Sequence, residues 1–301
     1  NVSSLCRAGG RQRWGVKFMD LILPPLLIVA GPTATGKTDL AVNLAKKFNG
    51  EIINADSRTV YKELKIATAK PPLTKSGFYG GVKHHLFNLV SPKTKYDLTR
   101  YQQDALKAIK TIYKKGKLPI LVGGTGLYIR SIIDNLTIPK IPPRPALRKK
   151  LEQIAKTKNG LRYLVQELKK LDPKATKTID TKNPRRVIRA LEVCMASGQP
   201  FSSALKKGPP LFDVLYLCLD LPREKLYERI DCRVDKQIKD GLIQETKKLV
   251  KKYGLKLPAM SGIGYRQINE YLQEKCTLEE ALQRLKWDTH AYARRQLTWF
   301  R

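Results

Sequence analysis

Acidic residues are scarce in this chain, and histidine is scarcer still. Across 301 residues there are 26 Asp and Glu against 58 Lys and Arg, with 3 His, for a formal net charge of +32. A field of that sign attracts polyanions, of which nucleic acid is the commonest large one in a cell; a solvated Lys-rich surface is the bland alternative. The five cysteines, Cys6, Cys194, Cys218, Cys232 and Cys276, form no CxxC pair. With so few histidines they offer no zinc-ligand spacing. Scattered thiols fit a reducing cytosol, so a cytoplasmic protein is expected. The longest apolar run, Leu21–Ala30, is too short to span a bilayer and is interrupted by Pro24-Pro25, so no membrane span is expected. Arg11 and Arg13 ahead of it imitate a secretory signal, but a cut after Ala30 would fall immediately before a glycine-rich loop. Residues 1–18, ahead of Met19, are expected to be an extension upstream of the first strand, with a basic organelle-targeting peptide as the alternative.

What is present alternates. Apolar, β-rich runs occupy Leu26–Ala30, Glu51–Ala55, Leu118–Val122 and Val214–Asp220. Helical patterns fall at Thr38–Phe48, Arg100–Lys114 and Leu127–Ile133. That order argues an α/β fold with a parallel sheet covered by helices. At Pro139 the texture changes: IPKIPPRP is a breaker-rich link into basic helical stretches at Ala146–Lys156, Gly160–Leu171 and Pro184–Ser197. The expected organisation is a core of residues 19–137 and 211–301, with a helical insertion at 138–210. Two long helical patterns, Arg223–Tyr253 and Thr277–Arg301, close the chain.

Residues Gly31 to Thr38 read GPTATGKT and fit GxxxxGK[ST], between the strand LLIVA and the helix TDLAVNLAKKF. Gly31 and Gly36 let backbone N–H groups curl round phosphate oxygens, and the helix turns its positive end to the same place. Lys37 adds a point charge, and the Thr38 hydroxyl suits Mg²⁺. The loop binds phosphates; nothing in it specifies ATP. An ATPase usually continues with a strand ending in a metal-binding Asp, yet here PILVGGTGLYI ends in glycines and Thr125. That stretch is either a tight turn or a hydroxyl placed beside the phosphate loop. Asp56 ends the second strand, at the edge where parallel sheets bind ligands; it could cap a helix, hold Mg²⁺ or act as a base.

Eight motifs in order, GPTATGKT, ADSRTVY, TAKP, HHL, GGTGLYI, NPRRVIRALEV, GIGYRQ and ARRQLTWFR, closely resemble the bacterial tRNA dimethylallyltransferases, also called tRNA isopentenyl transferases. The resemblance implies a P-loop NTPase-like core with a helical insertion that contacts tRNA. It implies that Gly31, Thr33, Thr35, Gly36, Lys37, Thr38 and Arg233 hold the diphosphate of dimethylallyl diphosphate, with Mg²⁺ on Thr38. Asp56 would take the proton from N6 of the adenine 3′ of the anticodon, and Thr125 would position Asp56 or that adenine. Ser57, Arg58, Thr59, Arg185, Arg186, Arg189, Gly262, Gly264, Tyr265, Arg266 and Gln267 would touch the anticodon stem-loop, the last five as a set suited to stacking unpaired bases. A buried tyrosine behind a helix cap is the alternative for that set. Thr59 stands where such proteins usually carry Gln, and Ala67 where Gly is common. A monomer is expected. The adjacent His84-His85 pair suits packing or an RNA contact better than a metal. Trp287 and Trp299 are expected to pack the last helix, with Arg294 and Arg295 free to point outward. The rival readings are a small-molecule phosphate-loop kinase and a non-catalytic RNA-binding protein.

Overall fold

A computed structural model describes residues 23–138, 144–204, 206–255 and 257–301. The upstream extension and most of the proline-rich link lie outside the described residues. Six strands form one sheet: β1 (Pro25–Ala30), β2 (Gly50–Asn54), β3 (Phe78–Tyr79), β4 (Val82–His85), β5 (Leu118–Val122) and β6 (Asp213–Cys218). Their order is β3-β4-β2-β5-β1-β6, all pairs parallel except β3 with β4.

Period-two alternation decides which side chains meet which helices. From β1, Leu27 and Val29 face α1 (Lys37–Lys47), where they pack with Ile52, Ile120, Ala41 and Val42. Leu26, Ile28 and Ala30 face the other way, onto α2 (Leu98–Lys114) and α3 (Gly126–Ile133), with Tyr101, Ile109 and Ile129 buried there. Both faces of the central strands are therefore covered, as their unbroken apolar runs require.

The hairpin of β3 and β4 was not legible as strand. Its signal is the Gly80-Gly81 turn, with φ of +58° and +79°, the left-handed pair that a two-residue hairpin turn demands. The pattern at Arg223–Tyr253 is two helices, α9 (Arg223–Lys239) and α10 (Leu242–Tyr253). They part at Gly241, whose φ of +95° no helix interior allows. A short α11 (Tyr265–Leu272) precedes α12 (Leu278–Phe300), which Thr277 and Glu280 start with a capping box. Among the described residues no helix is long and apolar enough to cross a membrane.

The insertion has helices α4 (Pro145–Ala155), α5 (Gly160–Leu171), α6 (Pro173–Thr178), α7 (Pro184–Ser197) and α8 (Phe201–Ala204). Leu151, Leu164, Leu168, Val187 and Leu191 make a core of their own. Under it sits Glu192, fully buried, accepting from the Arg144 N–H at 2.8 Å and from Arg189 at 2.9 Å, with Arg148 as its third partner. Burial alone would raise the Glu192 carboxyl, but these donors hold it below the usual carboxylate range. Arg189, expected as an RNA contact beside Arg185, thus has its guanidinium on Glu192 while its side chain stays 36% exposed. Glu192→Ala is expected to destabilise the fold by about 3 kcal/mol in urea unfolding, at the lower end for a broken buried pair because both arginines reach solvent.

Candidate active site

The phosphate loop joins β1 to α1 and needs glycine at both ends. Gly31 has φ of +134°, and a Cβ there would stand 2.5 Å from the Leu219 carbonyl oxygen. Gly36, at φ of +89°, caps α1 without a side chain. Within the loop the Thr35 hydroxyl donates to the Pro32 carbonyl at 2.9 Å, and Lys37 Nζ donates to the same oxygen. Burial pushes the Lys37 ammonium down to about 8, with nearby Asp56 opposing and Arg233 adding to the shift. Arg233 reaches the loop from α9, its guanidinium donating to the Thr33 hydroxyl at 3.1 Å. Burial lowers its pKa too.

Asp56 follows β2. Its N–H donates to Asn54 Oδ1 at 3.0 Å, and its own Oδ1 accepts the Arg58 N–H at 2.8 Å. Arg58 crosses to the segment before α11, donating to the Ala259 carbonyl at 3.3 Å and the Ser261 hydroxyl at 3.4 Å. Thr125 caps α3 and lies against the same loop: its N–H donates to the Ala55 carbonyl and its hydroxyl accepts the Ser57 N–H, both at 3.1 Å. Thr125 thus touches the Asp56 segment through the neighbouring backbone.

Two cavities flank these groups. One, of about 200 Å³, is lined by Gly36, Lys37, Thr38, Asn54, His84 and Gly124. The other, of about 310 Å³, is walled by Ser57, Arg58, Leu64, Ala67, Gly262, Ile263 and Leu285. Thr33, Asp56, Thr68 and Arg233 line both. Helix periodicity builds the second chamber: Ile230, Arg233, Val234 and Gln237 form one face of α9, and Leu285, Thr289 and Tyr292 one face of α12.

Two contributors carry no local sequence signal. Gln296, buried on α12, accepts the Thr33 N–H at 2.8 Å and donates to the Gly124 carbonyl at 2.8 Å. It ties the phosphate loop to the glycine turn, standing 263 positions along the chain from Thr33 and 172 from Gly124. Glycine at position 124 leaves room for this contact: a Cβ there would stand 2.1 Å from Gln296 Nε2 and displace the amide. Tyr292, one helical turn earlier, bonds Thr125 and faces the charge of Asp56. Gln296 stands within ARRQLTWFR, but nothing local in that stretch marks a glutamine that reaches Thr33 and Gly124.

The residues read as RNA contacts divide. Arg185 and Arg186 are exposed at the start of α7, and Gly262 and Arg58 open onto the larger cavity. Thr59 is buried, its hydroxyl on the Asp56 carbonyl. Tyr265 is a correction: its ring is buried in the main core and its phenol donates to Glu245, so it is no platform for a base. Gln267 is also buried, capping the Gly264 N–H at 2.9 Å, and Arg266 pairs with Asp288 at 2.6 Å. Gly264, at φ of +95°, packs against Ala67. The buried-tyrosine alternative therefore describes this turn. Trp287 is a correction as well, at 61% exposed, whereas Trp299, 43% exposed, lays its indole against Gly126 of α3. Arg294 is exposed, donating to the Tyr227 phenol at 2.6 Å, and Arg295 is exposed. His84 is buried, and His85 sits on Glu51 at 2.7 Å, so neither faces RNA. Among the described residues no group of three His, Cys, Asp or Glu is placed to hold a metal.

A sheet wound in this order, with its phosphate loop opening onto two adjoining chambers, marks a phosphate-loop transferase carrying a helical insertion. The family model described as IPP transferase matches residues 59–301. A tRNA dimethylallyltransferase of Thermomicrobium roseum is 44% identical over 279 residues, covering 92% of this chain and 83% of that protein. One of Acetivibrio thermocellus is 46% identical over 280 residues, covering 92% and 88%. The solved tRNA isopentenylpyrophosphate transferase of Bacillus halodurans superposes with a TM-score of 0.65 at 38% identity, covering 92% of this chain and 86% of that one. A eukaryotic dimethylallyltransferase acting on tRNA gives a TM-score of 0.74 at 33% identity, covering 92% and 70%. The chain belongs to the IPP transferase family.

Proposed function

We propose that this chain transfers a dimethylallyl group from dimethylallyl diphosphate to N6 of the adenine immediately 3′ of the anticodon in tRNA, releasing diphosphate. The observation that carries the reading is the sharing of Asp56 and Arg233 by both cavities. The smaller cavity, with the phosphate loop, Lys37 and Arg233, suits the diphosphate; the larger suits a base turned out of the anticodon loop.

In the reaction, N6 attacks the allylic carbon. The new N–C bond forms as the C–O bond to diphosphate breaks. Asp56, at the junction, accepts the N6 proton. Negative charge grows on the departing oxygen, where the loop N–H groups, Lys37 and Arg233 are already in place. Arg233 offers a fork of donors suited to two phosphate oxygens at once. Thr125, Ser57 and Tyr292 hold the Asp56 segment in register. The Thr38 hydroxyl, on the wall of the smaller cavity, is the kind of oxygen group that binds Mg²⁺ together with phosphate. Magnesium bound there would neutralise part of the diphosphate charge.

Mixing the protein with allyl-labelled dimethylallyl diphosphate or γ-labelled ATP, each with bulk unmodified tRNA, tests the donor. Label is expected in RNA from the allyl donor alone. Phosphate transfer from ATP, with none of the allyl label reaching RNA, would favour the kinase instead.

The net charge of +32 and the exposed Arg185 lead to a second expectation. The logarithm of tRNA affinity should fall linearly with the logarithm of salt concentration. Arg185→Ala should reduce that slope by about one phosphate contact. A slope identical to wild type would remove Arg185 from the interface.

A further inference from the structure

His84 has no part in the mechanism above, yet its placement is unusual. It stands in β4 beside Ile52 of β2, on the same face as Val82, which packs toward α1. It is only 4% exposed, and it lines the phosphate-side cavity with Lys37, Thr38, Asn54, Asp56 and Arg233. Its Nδ1 lies 3.0 Å from the Val82 carbonyl oxygen. A carbonyl can only accept, so Nδ1 carries a proton, and in the neutral ring Nε2 then presents a lone pair. Burial lowers the pKa of the ring, which favours this neutral form. The rings of Tyr79 and Phe87 meet it edge to face at 5.9 Å and 5.8 Å, fixing its direction.

Nε2 is buried and has no hydrogen-bond partner among the described residues. A buried acceptor left unpaired is costly, and His84 lines the phosphate-side cavity, which together point to a ligand. The partner must be a donor. Ionised diphosphate oxygens are acceptors and would be repelled by the lone pair. Lys37 already donates to Pro32. A direct bond to magnesium is disfavoured, because that ion prefers oxygen. Water polarised by magnesium is the donor that a metal–diphosphate complex brings with it.

We propose that His84 Nε2 accepts a hydrogen bond from a water molecule carried by magnesium on the bound diphosphate. His84 is then a positioning residue, acting on the metal through its hydration shell. The proposal rests on the reading of the smaller cavity as a magnesium–diphosphate site.

The test is metal binding without turnover. Mn²⁺ is titrated into the protein with saturating inorganic diphosphate, and free Mn²⁺ is followed by electron paramagnetic resonance. His84→Phe is expected to weaken Mn²⁺ binding about tenfold, the lower range for loss of an outer-shell partner. His84→Gln, whose carbonyl oxygen can replace Nε2 as acceptor, should stay within about threefold of wild type. His84→Asn is too short to do so and stands in for the phenylalanine variant should that one not fold. Diphosphate affinity without metal should be the same in all. Equal Mn²⁺ affinity in wild type and the Phe or Asn variant overturns the proposal, as does a Gln variant no better than they are. Failure of the wild type itself to bind Mn²⁺ with diphosphate would overturn the cavity reading and the role of His84 with it, a result distinct from loss of the His84 effect alone.

Discussion

Asp56→Asn is expected to lower single-turnover transfer to tRNA by about 10²–10⁴-fold, the usual worth of a general base. The amide keeps the size of the side chain, and its oxygen can still accept the Arg58 N–H that Oδ1 accepts now. It cannot take a proton at neutral pH. Binding of tRNA should change little, because one carboxylate is lost from a strongly cationic surface. Three roles for Asp56 separate in this experiment. Were it only a turn former, Asn would serve nearly as well and the rate would survive. Were it chiefly a metal ligand, raising Mg²⁺ would restore much of the rate. As a base, it leaves a deficit that Mg²⁺ does not repair. The assay therefore runs with both substrates saturating and Mg²⁺ varied. A mutant within about threefold of wild type would remove the base role.

Lys37→Ala carries the second large effect. It deletes a half-buried cation beside the departing diphosphate, and loss of one such preorganised donor is worth about 10²–10³-fold in rate. Donor affinity should fall with it, while tRNA affinity should hold, since Lys37 lines the smaller cavity and not the larger. The depressed pKa adds a pH signature. Lys37 in the free protein loses its proton near pH 8. Only the protonated form offers charge to diphosphate, so wild-type donor affinity should weaken as pH rises past that point. A single group titrating at about pH 8 predicts a roughly fivefold loss over the next pH unit. Lys37→Arg, charged throughout, should lack that step. Calorimetric titration of inorganic diphosphate at several pH values reads the difference. Parallel profiles for the two proteins would mean that Lys37 is not the titrating group.

The phosphate loop was legible because its chemistry is local. Gly31, Gly36, Lys37 and Thr38 lie within eight positions, and strand and helix patterns flank them. The α/β core was legible for a related reason: β1, β2, β5 and β6 are short apolar runs, and α1 to α3 are periodic. Asp56 was placed correctly at a strand end, but its neighbours were not foreseen, since they come from afar. Gln296 meets Thr33 across 263 positions, and Arg233 meets it across 200. No window of sequence contains such a pair. The family resemblance supplied Arg233 and left Gln296, Tyr292 and His84 unassigned.

The misreadings share one cause, which is that residue type does not reveal partners. Tyr265 looks like RNA-stacking chemistry, yet a core position absorbs it, while Arg266 pairs with Asp288 and stays half exposed. Arg189 looks like an unpaired surface cation, yet Glu192, three residues on, holds it while its side chain stays 36% exposed. Trp287 looks like packing and is exposed, because the face of α12 that meets the core is set by Leu285, Ala293 and Gln296. Charge and aromaticity suggested the polyanion; tertiary contacts decided which side chains remain available to it.

The central claim is that two adjoining cavities bring a diphosphate and an adenine together at Asp56. It is tested most directly by quantifying both products of a single turnover with a tRNA transcript. Diphosphate is measured in the supernatant, and the RNA is digested to nucleosides for mass analysis. The account predicts one diphosphate per N6-dimethylallyladenosine, located 3′ of the anticodon, with neither product formed when that adenine is replaced by guanine. Diphosphate released without RNA, or a prenyl group found on any atom other than that N6, would contradict it.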